Sequence, residues 1–209
     1  MAEHGSDRRT LPLVTRWLPV TLWVLVGGAC CALVSGLEPN LLEEGIELHV
    51  AKRLAQGEVL YRDVLVFTGP FPFELLALLF RIFGEEIWVA RSVVIVLHAL
   101  ATGAAFAIAR GSRSDALAHA AAGQIAAAPV LLFPLFGIYY YTTIAFHLSL
   151  IAAWAAWRGI HRTGWAVLAG GLVATVALCK QTIGLSLAVT LGLALLFAAP
   201  ATRRTRAAL

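Results

Sequence analysis

Six apolar stretches, each close to the length a helix needs to cross a bilayer, occupy most of this 209-residue chain and leave it few other ways to fold. They run over 17–35, 87–109, 116–136, 138–157, 164–179 and 182–199. A helical span takes roughly 20 apolar residues. The chain is 60% hydrophobic and 13% charged, with mean hydropathy +0.82. Soluble domains hold about 45–50% apolar and about 25% charged residues, so composition points to an integral membrane protein. The expected fold is all-α, a polytopic transmembrane helical bundle of about six spans. Residues 1–16 read as a cytoplasmic tail and 17–209 as the membrane domain, with a first outer loop over 37–86.

Charge placement orients this topology. With the N-terminus inside, the cytoplasmic segments carry Arg8, Arg9, Arg16, Arg110, Arg113, Arg158, Arg162, Arg203, Arg204 and Arg206 against Glu3, Asp7 and Asp115. The opposite side carries Lys52, Arg53, Arg62, Arg81, Arg91 and Lys180 against nine acids, so the excess of cations lies inside. The apolar stretch 70–83 is too short to cross comfortably. Counting it as a span reverses every later loop, and with Glu74 and Arg81 on one helical face it suits an interfacial helix. The basic pI of 9.3 reflects arginines spread over short turns rather than a patch, which argues against a nucleic-acid partner. Residues 17–35 are long for a signal peptide and lack a clear cleavage site, so they read as a retained span. Cys30, Cys31 and Cys179 lie in or beside apolar segments with neither disulfide nor zinc spacing.

The insert 37–86 is the one extramembrane segment large enough to hold a site. Asn40 is placed to cap a helix over 41–55, and Gly57 to end it. Leu42, Ile46, Val50 and Leu54 recur at four-residue spacing as its apolar stripe, with Glu43, Glu44, Glu47, Lys52 and Arg53 off it. Residues 59–67 read as an extended connector, and Gly69-Pro70-Phe71-Pro72 as the start of a second surface helix. Taken alone, Glu43, Glu44 and Glu47 read as a solvated acidic face. Farther on, Gly170-Gly171 and the many alanines favour close helix packing in a membrane.

The order of these motifs carries more than their composition. Glu43-Glu44-Gly45, Ala51-Lys52-Arg53-Leu54, Gly57-Glu58-x-x-Tyr61-Arg62-Asp63, a Gly-Pro at 69–70, Phe83-Gly84 and Val89-Ala90-Arg91-Ser92 follow one another. This succession resembles the start of bacterial family 39 glycosyltransferases, polytopic type-C enzymes that include protein O-mannosyltransferases and the lipid A aminoarabinose transferase. The resemblance covers about residues 17–110, and beyond them only hydropathy and Lys180-Gln181-Thr182. It implies transfer of a sugar from a polyprenyl-phosphate donor to a lipid, protein or glycan acceptor on the outer face of the cytoplasmic membrane. It assigns Glu43 as the general base that deprotonates the acceptor during inverting attack, with Glu44 the alternative if the motif slips by one residue. Such proton transfer contributes about 10²–10⁴-fold to a rate.

Three positions depart from the family pattern. Glu43 stands where aspartate is usual, adding a methylene. Ile46 replaces an arginine found in some relatives, and Thr68-Gly69-Pro70 replaces Lys-Pro-Pro. Cations for the donor phosphate are then sought among Arg53, Arg62, Arg91 and Lys180. Arg91 reads equally as a snorkelling arginine. Lys180 interrupts an otherwise uncharged stretch from Thr163 to Pro200, as a functional cation or as a turn residue between two spans. Tyr139-Tyr140-Tyr141 read as an interfacial aromatic belt, with a sugar platform as the secondary reading. His147 reads as hydrogen-bonded inside the bundle, and His49 as a weak ligand candidate. No metal site is expected and no cofactor is required, although some relatives use a divalent cation. Relatives are much longer, so the resemblance also admits a companion chain supplying further spans, or a non-catalytic subunit that keeps the fold. A small transporter fits less well, because no internal repeat or mid-span carboxylate is present.

Overall fold

The computed structural model describes residues 13–37, 40–111, 114–160 and 162–207, and all regular structure among them is helical. The expected tail falls almost wholly outside the described residues. Eight helices follow in order: α1 Leu13–Val34, α2 Glu43–Ala55, α3 Phe71–Phe83, α4 Ile87–Ala109, α5 Asp115–Leu131, α6 Tyr141–Gly159, α7 Thr163–Cys179 and α8 Gln181–Ala207. Two of them, over Trp17–Val34 and Ile87–Ala109, are long and apolar enough to cross a membrane. The apolar runs Thr163–Cys179 and Gln181–Phe197 are shorter.

The six longer helices run up and down. Helix α4 packs on α1, α5 and α6; α6 packs on α7, and α7 on α8. One end of the bundle gathers the turns after α5 and α7 beside the α2–α3 insert. The other end is marked by Arg158, whose guanidinium lies 5.9 Å from the Trp17 ring and 5.6 Å from the Trp165 ring. Small side chains set the spacing between. Ala101, Ala104 and Ala105 of α4 are buried, as are Ala118, Ala122 and Ala126 of α5. Close approach of α1 to α4 occurs at Gly27, where a Cβ would collide with Thr102. The pair Gly170-Gly171, expected to serve this purpose, has nothing within 4 Å of either Cβ position; at this level α7 meets α6 through Ala169 and Leu172 instead.

The span expected over 116–136 ends early. Pro129 removes the amide that would bond to the Ile125 carbonyl, and α5 stops at Leu131. The turn that follows holds a cis Phe133-Pro134 bond, and residues 138–140 reach α6 in extended form. Pro129 also leaves carbonyls for another partner: the His98 ring lies beside those of Ile125 and Ala126. His98 and His147 are both fully buried, and His98 Nδ1 stands 2.9 Å from His147 Nε2. His147 is therefore hydrogen-bonded inside the bundle as expected, and its partner sits on α4.

The insert folds as two helices joined by a tight connector. The Asn40 side chain accepts from the amides of Leu42 and Glu43, each at 3.1 Å, and starts α2. At the other end Gly57 N–H bonds to the Leu54 carbonyl and Glu58 N–H to that of Arg53, with Gly57 at φ 103°. This pairing needs a left-handed residue and explains the glycine. Arg81 of α3 donates to the carbonyls of Leu54 (2.6 Å) and Ala55 (3.3 Å), placing a cation on the negative end of α2. Helix α3 buries Phe73, Leu76, Ala77 and Phe80 and exposes Leu78, Ile82 and Phe83 together with Glu74 and Arg81, a mixed apolar and charged outer face. Its start is fixed to α7. The Gly69 amide donates to the Cys179 carbonyl at 3.3 Å, and a Cβ on Gly69 would overlap the Leu178 carbonyl.

The buried stripe of α2 differs from the expected one. Leu42 and Ile46 are exposed, whereas Glu44, Glu47, Val50, Ala51 and Leu54 are buried. Helix α2 therefore turns two carboxylates, rather than two aliphatic side chains, into the protein. Periodicity alone selected the wrong first turn because the partners of those carboxylates come from α4 and from the segment before α6.

Candidate functional site

Glu44 and Arg91 form the centre of the α2 end. Arg91 Nε donates to Glu44 Oε1 at 3.0 Å and Nη2 to Oε2 at 2.7 Å, a bidentate pair with both side chains almost wholly buried. Arg91 Nη1 also donates to the Ser35 carbonyl and, at 2.9 Å, to that of Leu37. These carbonyls follow the C-terminus of α1, where a cation is favoured. Arg91 does not snorkel. The Tyr139 amide completes the shell of Glu44 at 3.4 Å. A carboxylate so fully engaged has little freedom left for proton transfer, which separates Glu44 from its neighbour Glu43.

The chain at Tyr139 and Tyr140, which leads into α6, lies across α2. Amides two residues apart point the same way on an extended chain, and here the Tyr139 amide meets Glu44 while the Tyr141 amide meets Glu47 Oε1 at 3.4 Å. Glu47 is 3% exposed, and its other oxygen, Oε2, has no partner. Burial pushes the Glu47 carboxyl up to about 8, against a smaller opposing pull from the Tyr141 amide. Tyr139 does not belong to an aromatic belt: it is fully buried and its hydroxyl donates to the Pro72 carbonyl at 2.6 Å. Tyr140 and Tyr141 are half-buried, with ring centroids 4.3 Å apart and hydroxyls 3.1 Å apart.

Glu43, first residue of α2, is half-buried, and among the described residues its carboxylate has no hydrogen-bond or ion-pair partner. It stands within electrostatic reach of the Tyr140 hydroxyl, as does Glu47. Three carboxylates thus share one end of α2 in three states: Glu44 neutralised, Glu47 buried and half-bonded, Glu43 open.

The candidate cations divide in the same way. Arg53 pairs with Glu58 at 2.5 Å and donates to the Asp63 carbonyl at 3.2 Å. Arg62 holds its neighbour Asp63 at 2.8 Å, and Asp63 also accepts from the Val59 amide at 2.9 Å. Arg62 and the Val59 amide together hold the Asp63 carboxyl down at about 2. The Gly57–Asp63 motif is thereby satisfied within its own turn, in which Tyr61 adopts φ 66° and its hydroxyl donates to the Thr68 carbonyl at 2.7 Å. Lys180 alone among the four has no carboxylate within ion-pair distance among the described residues. It lies in extended conformation between α7 and α8, so it is the turn residue expected there. It also reaches the site: Nζ is 3.3 Å from Thr142 Oγ1 and 5.3 Å from the centre of the Tyr141 ring.

His49 is exposed and apart from these groups. Among the described residues no three His, Cys, Asp or Glu side chains converge as a metal site, and Cys30, Cys31 and Cys179 are free thiols. Glu47 was passed over in the sequence because it falls off the apolar stripe. Its position three residues after Glu44, on the same helical face, was the signal that a buried partner for one implied burial of the other. Comparison with known proteins finds no matching family model, no matching curated protein and no matching solved structure.

Two outcomes follow from this geometry. Arg91→Ala leaves the Glu44 carboxylate buried without its cation, and thermal unfolding in detergent is expected to show a loss of about 3–5 kcal/mol. Pairing that change with Glu44→Leu is expected to restore much of it. Glu47 binds a proton more tightly folded than unfolded, so the unfolded chain carries fewer protons between about pH 4.5 and 8. Stability is therefore expected to fall as pH rises through that window, by at most about 1.4 kcal/mol per pH unit. Glu47→Gln should remove this component of the pH dependence.

Proposed function

We propose that this chain is a membrane glycosyltransferase of the family 39, type-C kind, or the N-terminal portion of one. It transfers a sugar from a polyprenyl-phosphate donor, with Glu43 as general base. The observation that carries the reading is the division of charge at the α2 end. Among the described residues, only Glu43 of the acidic pair keeps an unpartnered carboxylate, and only Lys180 of the four candidate cations lacks an ion-pair partner. Both lie beside Tyr140–Thr142, a base and a phosphate partner flanking one short segment.

In the step this implies, Glu43 takes the proton of an acceptor hydroxyl or amine as that atom attacks the anomeric carbon. The bond from carbon to the phosphate oxygen breaks on the opposite face, giving an inverted glycoside and free polyprenyl phosphate. Lys180 stabilises the phosphate as negative charge builds on it. The longer glutamate in place of aspartate matters, because misplacement of a base by an ångström can cost about 10²-fold. Arg91, Arg53 and Arg62 take structural parts in this scheme. The setting is the cytoplasmic membrane, crossed six times by α1 and α4–α8, with 37–86 outside and both termini cytoplasmic. Outward-facing Leu22, Leu25 and Leu33 of α1 and Leu185, Val189 and Leu196 of α8 support a lipid environment.

A second reading, a non-catalytic membrane protein or partner subunit with the same fold, draws support from the internal pairing of the Gly57–Asp63 motif. The two part on activity. In protein with demonstrated transfer, alone or with a companion chain, Glu43→Gln is expected to lower turnover by at least about 10²-fold with donor binding intact. Glu44→Gln should act through stability instead. Lys180→Met should weaken donor binding without unfolding the bundle. Mild, equal effects of Glu43→Gln and Glu44→Gln on turnover would sink the catalytic assignment. The topology has its own check: reporters fused at Gln56 and after Arg206 are expected on opposite sides of the membrane, and the same side for both refutes it.

A further inference from the structure

We propose that Glu47, Tyr140 and Tyr141 form a subsite for the sugar ring of a glycosyl phosphate, between the acidic end of α2 and Lys180. The inference rests on the glycosyl-transfer reading and adds to it residues that no family motif supplies.

Glu47 is a buried carboxyl left half-satisfied at this end of the protein. One of its oxygens takes the Tyr141 amide; among the described residues the other is buried with no partner and no cation pairs with it. A buried polar atom left unpaired is costly, so a group that supplies the missing hydrogen bond binds with that advantage. The donor must be compact and neutral enough to enter a dry site, which a sugar hydroxyl is. Tyr141 joins the two halves of the subsite. Its amide holds Glu47, and its ring carries the Lys180 ammonium at 5.3 Å. A ligand that meets both that ammonium and that carboxyl carries an anion at one end and a hydroxyl donor at the other. A sugar linked to phosphate has this form.

The two tyrosines supply the face. Their rings stand side by side at 4.3 Å, half-buried, and among the described residues each hydroxyl is bonded only to the other. Aromatic faces with a polar tip suit the mixed apolar and hydroxyl surface of a pyranose or furanose. Tyr140 lies just outside the helix, in extended conformation, so its side chain can change position without disturbing α6. Its hydroxyl lies within electrostatic reach of both Glu43 and Glu47, which places the sugar on the side of the base.

The test compares binding of bare polyprenyl phosphate with binding of its glucosyl, mannosyl and arabinosyl forms to the full chain in nanodiscs. Wild-type protein is expected to bind at least one glycosylated lipid about tenfold or more tightly than the bare lipid. Glu47→Gln and Tyr140→Leu should each reduce that preference several-fold while leaving bare-lipid affinity unchanged, which also shows that the bundle is folded. Lys180→Met should weaken both lipids. If no glycosylated lipid is preferred, or if both variants keep the full preference, the sugar subsite is refuted while a Lys180-dependent phosphate site stands. If wild-type protein binds neither kind of lipid, the glycosyl-transfer reading fails and the subsite fails with it.

Discussion

The ion pair between Glu44 and Arg91 is the contact on which the loop-bearing end of the molecule depends. Through one guanidinium it joins the carbonyls that follow α1, the first turn of α2 and the start of α4. Through the carboxylate it also reaches the backbone before α6. Two charges removed from water are costly, and their attraction offsets that cost only when the remaining hydrogen-bond capacity is used. Here it is used: five bonds converge on the pair. Its main contribution is then geometric. It fixes which face of α2 points inward, and so decides where Glu43 and Glu47 stand.

The insert between α1 and α4 shows how a charged loop is held at the end of an apolar bundle. Its arginines are committed locally, to Glu58, to Asp63 and to the carbonyls at the end of α2. Besides the Glu44–Arg91 pair and the packing of Leu76 and Phe80 against the longer helices, the loop is tied down by the Gly69 amide on the Cys179 carbonyl and the Tyr139 hydroxyl on the Pro72 carbonyl. Around residues 140–142, among the described residues, Glu43 and Lys180 are left without an ion-pair partner and one oxygen of Glu47 without a hydrogen-bond partner.

Inside the bundle the polar content is low but specific. His98 and His147 link α4 to α6, and the carbonyls beside His98 lie on the turn of α5 that Pro129 has loosened. Polar pairs of this kind add register to helix packing that alanine contacts alone leave weakly specified. Small residues let α1, α4 and α5 approach closely, while Val94, Ile144, Leu148 and Val176 fill the core between α4, α6 and α7.

The succession of apolar runs sufficed to place α1, α4, α6 and α7 and the start of α8 to within a few residues, because helix length and hydrophobicity are local properties of the chain, whereas α8 runs on to Ala207, past the apolar run. The ends of α2 were equally legible, since Asn40 and Gly57 act through bonds to their immediate neighbours. The early end of α5 was legible only in part: Pro129 and Pro134 are visible, but where the chain leaves the helix depends on what it packs against. The candidate site divides along the same line. The acidic pair, Lys180 and the arginines stand out in the sequence as charges in an apolar context. Which of them are free was decided by partners far away in the chain, Arg91 for Glu44 at a separation of 47 residues and Tyr141 for Glu47 at 94. Residue type and spacing determined that this chain forms helices and where its charges lie. Only the tertiary structure decided which charges are paired in the fold and which are left unpaired, because burial and pairing are properties of the assembled helices.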